Sequence, residues 1–144
     1  MTIVFEMSTD PDITATPLAP AWHPIAARYG WPQVSPCNLG LPGGITLVVI
    51  AHGNGTEIGN AAPGTIDIGA AAFLALIQGN MAGGAFPAAV YISTCGPGIA
   101  EFAAAVRLLA EQNDVWDGTR IFGHSDPVAG AVPPPGDIRW AQIF

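Results

Sequence analysis

The sequence predicts one α/β domain of three layers, α/β/α, built around a mostly parallel central sheet. Residues 45–51 and 88–93 are apolar, β-branched runs without regular polar alternation, as expected of strands buried on both faces. The segments that separate the strands carry helical patterns, and alternating strands and helices favour parallel pairing. Half of the 144 residues are hydrophobic and 10% are charged, which suits one sizeable core and excludes a disordered chain.

Taken in order, residues 2–7 read as a short strand. Prolines 11, 17, 20, 24, 32, 36 and 42 then break the chain so often that one short helix, near 24–29, is all that fits. Residues 1–42 are thus expected to wrap the domain. Gly43-Gly44 releases the chain into the first central strand, 45–51, which runs into His52-Gly53. Residues 55–69 hold two β-like pieces, near 56–58 and 65–68, with hairpin punctuation between them. A helix over 70–78 closes at Gly79-Asn80. The second central strand, 88–93, ends at Thr94-Cys95. Pro97 and Gly98 open a helix to about residue 113, with Ile99, Phe102, Val106 and Leu109 on its buried face and Glu101, Arg107 and Glu111 on the wet one. Strands at 119–124 and 138–144 complete the sheet, joined through Ser125-Asp126-Pro127 and the proline turn at 133–137. The core with its site spans 43–125, and 126–144 is a C-terminal turn and strand.

Four basic residues, all Arg, face eleven acidic ones, a net charge of −7 that would repel a nucleic-acid backbone. A GC-rich bacterial genome would give this bias, an Arg-only basic set with abundant Gly, Ala and Pro. No apolar run approaches the ~20 residues of a membrane helix. The N-terminus lacks the basic region of a secretory signal, so cytoplasmic residence, or export without a classical signal peptide, is expected. Two cysteines make no disulfide framework, and Cys37, set between Pro36 and Asn38, is expected to stay reduced and unreactive.

Ligands bind beyond the carboxyl ends of strands in such sheets, where His52, Cys95 and His124 fall. Cys95 lies between a strand and a helix start, whose positive field favours thiolate, and amides of the same turn, at Gly96, can cradle an oxyanion. His52 ends the neighbouring strand and has a ring suited to proton transfer near neutral pH. A lone buried Cys or His more often serves packing; here 43 residues, room for one crossover, separate the pair. No His-x-x-x-His or Cys-x-x-Cys spacing occurs, so neither metal nor cofactor is expected. Gly53-x-Gly55 is not a dinucleotide fingerprint, and Trp22, Trp31, Trp116 and Trp140 read as plugs at the core edges.

The pair Val-Val-Ile-Ala-His52-Gly53 and Val-Tyr-Ile-Ser-Thr-Cys95-Gly96 resembles the caspase-like cysteine peptidases, the group of caspases, legumains, gingipains and toxin self-processing domains. Caspases separate His and Cys by about 50 residues. The resemblance covers residues 44–124 and implies a catalytic Cys95 and His52, with the Gly53 amide in the oxyanion site and a protein or peptide as substrate. Two departures are visible: Ser93-Thr94-Cys95 stands where caspases carry Gln-Ala-Cys, and Pro97 where they place a glycine. Asp67 and Asp126 are acidic candidates for receiving a basic side chain. His124, 29 residues after Cys95, with Asp126 as a further auxiliary, resembles instead the pairing of bacterial toxin glutamine deamidases. A caspase-like binding module or antigen without catalysis is the third reading.

Overall fold

In chain order the elements are β1 (Thr2–Glu6), α1 (Pro11–Thr14), a 3₁₀ turn (Pro20–Trp22), β2 (Ile25–Tyr29), α2 (Trp31–Val34), β3 (Thr46–Gly53), β4 (Glu57–Gly59), β5 (Asp67–Gly69), α3 (Ala70–Gly79), β6 (Ala89–Thr94), α4 (Ile99–Gln112), β7 (Arg120–Gly123) and β8 (Ala141–Gln142). They belong to a computed structural model that describes residues 1–62, 64–94, 96–124 and 130–143. Cys95 and Asp126 lie outside the described residues.

The protein is mixed α/β with a mostly parallel central sheet of order β2-β1-β3-β6-β7-β8, in which only β8 runs antiparallel along this path. A hairpin, β4 and β5, folds back on the end of β3. The unbroken apolar run of β3 serves two cores. Leu47, Val49 and Ala51 face α3 and α4 through Phe73, Ile77, Phe102 and Val106, whereas Val48 and Ile50 face Ile13, Trp22 and Trp140. Both long helices pack on the first face. The second is covered by α1, the 3₁₀ turn and the segment 130–140, compatible with three layers of which one is thin.

Prolines make that thin layer workable, because their carbonyls still accept hydrogen bonds while the missing N–H asks for none. Trp22 Nε1 donates to Pro133 O at 2.7 Å and Trp140 Nε1 to Pro134 O at 3.2 Å. Ala19 N donates to Val132 O and Val132 N to Pro17 O, tying the two proline-rich segments together. Tyr91 lies among them, stacked on Phe122 at 4.1 Å and edge-on to Trp22 and Trp140. Burial pushes its phenol above the ordinary value, against the pull of Arg120. Since the unfolded chain then releases this proton first, stability should fall as pH rises past about 10. Denaturant midpoints measured against pH should show a shallower fall in Tyr91→Phe.

Expectations for the proline-rich segment, which holds α1, the 3₁₀ turn and α2, and for the last strand are corrected. Residues 25–29 form strand β2, not a helix. The edge of β1 instead offers a ladder, pairing Ile3 with Ala27 and Phe5 with Tyr29. Arg28 fastens the strand with an ion pair to Glu6 at 2.5 Å and a bond to Thr16 O at 2.8 Å. The short helices form where Pro11 and Pro32 occupy first-turn positions, which need no intrahelical N–H donor. The last strand is also shorter than expected, only Ala141–Gln142, and Ile138 is 98% exposed. Among the described residues Cys37 carries a free thiol.

Candidate functional site

Parallel β1, β3, β6 and β7 bring their carboxyl ends to one edge. The β3/β6 register ends with Ala51 opposite Thr94, so His52 stands one residue beyond the last described pair. Its side chain is 19% exposed and turns toward the chain leaving β1: Nε2 lies 2.9 Å from Asp12 Oδ2, 3.1 Å from Asp12 Oδ1 and 3.4 Å from Asp10 Oδ2. The hydrogen bond to His52 holds the Asp12 carboxyl below its ordinary value.

This turn is clamped from the hairpin side. Asn60 Oδ1 accepts from Ser8 Oγ at 2.5 Å and Thr9 N at 2.9 Å, while Asn60 Nδ2 donates to Thr9 Oγ1 at 2.9 Å. Ala61 N donates to Asp10 Oδ2 at 2.8 Å, orienting that carboxylate.

Gly53 and Gly96 meet at the same edge. A Cβ added at Gly96 would fall 1.7 Å from Gly53 O, so only glycine permits this approach. Both glycines line a cleft of about 340 Å³ with His52, Asn60, Glu57 and Asp67. Asn54 shapes its rim, its Oδ1 accepting from Thr56 N at 2.9 Å and Glu57 N at 3.2 Å. A second cleft, of about 310 Å³, opens on the other side of the β3 and β6 ends, against Asp12, Ile13, Ser93 and Thr94.

His124 has a different environment. It is 1% exposed, and its Nε2 accepts the Thr94 N–H at 3.2 Å, which requires an unprotonated Nε2. Its carbonyl accepts Ala100 N at 3.1 Å, holding the first turn of α4 against the end of β7. Gly98 makes that helix start possible with a φ of +78°. The ring stands 5.6 Å from Trp140, in neither cleft.

The fold therefore brings together His52, Gly53 and Gly96, with Asp67 in the same cleft, and couples His124 to Thr94. Sequence reading missed Asp10, Asp12 and Asn60. Asp10 and Asp12 fall within the wrapping segment 1–42, yet they follow β1 closely, and the strand-end rule applied to β1 finds them. Asn60 left no local signal, because its partners lie about fifty residues away. Comparisons of this chain with protein-family models, with curated proteins and with solved structures found no match.

Proposed function

We propose that the chain is a cysteine hydrolase of caspase-like type, acting on amide bonds of a protein or peptide through Cys95 and His52. The observation that carries this reading is the parallel pairing of β3 with β6. It sets Ala51 opposite Thr94, the residues that in the sequence come directly before His52 and Cys95. Asp12 supports it as the third group of a nucleophile–base–orienter set, since a carboxylate on Nε2 fixes the ring and leaves the proton exchange with the thiol to Nδ1.

In the reaction, the Cys95 thiolate attacks the amide carbonyl and amides at Gly53 and Gly96 receive the oxyanion. The tetrahedral intermediate collapses to a thioester as the C–N bond breaks, and the His52 imidazolium gives its proton to the departing amine. Water, losing a proton to His52, attacks the thioester, releasing the acid and restoring the thiolate. Glu57 and Asp67 make the adjoining cleft suited to a basic side chain. The deamidase pairing has less support, because His124 Nε2 is already engaged by the Thr94 amide.

Iodoacetamide labelling followed residue by residue tests the reading. At about pH 6, Cys95 should alkylate roughly 10-fold faster than Cys37, and His52→Ala should abolish most of the difference. A mixed peptide library should be cut after Arg or Lys by the wild type and not by Cys95→Ala. Equal labelling of both thiols, with no cleavage, would overturn the hydrolase reading and favour the binding-module alternative.

A further inference from the structure

We propose that Asp10, Asp12 and His52 form a binding site for a divalent transition-metal cation of the zinc, cobalt or nickel kind, held by one oxygen from each carboxylate and by His52 Nε2. One ligand atom from each residue lies within 4.8 Å of the others. The spacing from His52 Nε2 is 2.9 Å to Asp12 Oδ2 and 3.4 Å to Asp10 Oδ2. Metal bonds of ~2.0–2.2 Å place neighbouring donors about 2.9 Å apart in an octahedron and about 3.4 Å apart in a tetrahedron. Both separations from His52 Nε2 fall within the span that neighbouring donors keep around such an ion, and an ion entering there displaces the carboxylate–imidazole hydrogen bond.

The donor set selects the ion class. An imidazole with two carboxylates suits borderline first-row cations, whereas calcium takes six to eight oxygens and magnesium favours oxygen and water. Two carboxylates and a neutral ring also balance a charge of +2. The Ala61 N–H on Asp10 Oδ2 supplies the outer hydrogen bond that orients a ligating carboxylate. His52 and Asp10 are 19% and 25% exposed while Asp12 is 64% exposed, so two donors are fixed and the third borders the entry path.

The site does not depend on the hydrolase reading, and its test is made without the thiols. In a Cys37→Ser, Cys95→Ser chain, zinc chloride titrated by calorimetry should bind one ion per chain. Cobalt chloride should give a visible spectrum without thiolate charge-transfer bands. Asp12→Asn, a change at an exposed position, should weaken zinc binding by at least about 10-fold with an unchanged circular dichroism spectrum. In the unmutated site, nitrogen-15 spectra should show zinc shifting the His52 Nε2 resonance while His23 stays in place. Absence of saturable binding, affinity indifferent to Asp12→Asn, or shifts at His23 or His124 in place of His52 would overturn the proposal. The alkylation result stands or falls separately.

Discussion

Gly96→Ala is expected to lower stability by roughly 3 kcal/mol, at the upper end of the usual cost of overpacking. The added Cβ meets the Gly53 carbonyl oxygen at 1.7 Å, and that oxygen belongs to the backbone at the end of β3, where no rotamer change can relieve the clash. The strand end or the turn before α4 must move. For a domain of this size the thermal midpoint should drop by about 10 °C. The same displacement should open the junction of Gly53 and Gly96 in the 340 Å³ cleft, so selective labelling of Cys95 should fade under conditions where the variant is still folded. A midpoint within a degree of the wild type would show that the two backbones do not touch in solution.

His124→Ala is expected to cost about as much, roughly 3 kcal/mol. It strips the Thr94 N–H of its ring acceptor in a buried setting, a loss of about 1–3 kcal/mol, and leaves a void beside Trp140. Two further variants separate these contributions. His124→Gln keeps an acceptor within reach of the amide and should recover part of the loss. His124→Phe fills the volume without an acceptor and should recover less. Chemical denaturation of the three proteins gives the comparison. If His124→Ala left stability unchanged while removing amide hydrolysis, His124 would be a reacting group, and the deamidase pairing would replace the peptidase one.

Local and periodic features of the fold are legible in the sequence alone. The apolar run of β3 has to be buried on both sides, and its alternate residues do enter two cores. The one-sided apolar stripe of α4 likewise dictated which face it buries, and glycines 53, 55, 59 and 69 punctuate the end of β3 and the hairpin. These signals survive without tertiary information because each comes from a few consecutive side chains. Position at the carboxyl end of a strand also made His52, Gly53 and Gly96 legible as one group.

Other features have no such local cause and arise from contacts between distant segments. Ile-Ala-Ala-Arg-Tyr at 25–29 is as good a helix as a strand, and the open edge of β1 with its Glu6 chose the strand. His124 reads in sequence as a strand-end histidine like His52, yet the order of β6 beside β7 turns it into the acceptor of a buried amide. Asp10 and Asp12 meet His52 from about forty residues away because β1 pairs with β3, carrying the turn after β1 to the end of β3. Hydrogen bonds and charges act over a few ångströms in space, whatever the distance along the chain, so the surroundings of His52 depended on which strand became its neighbour.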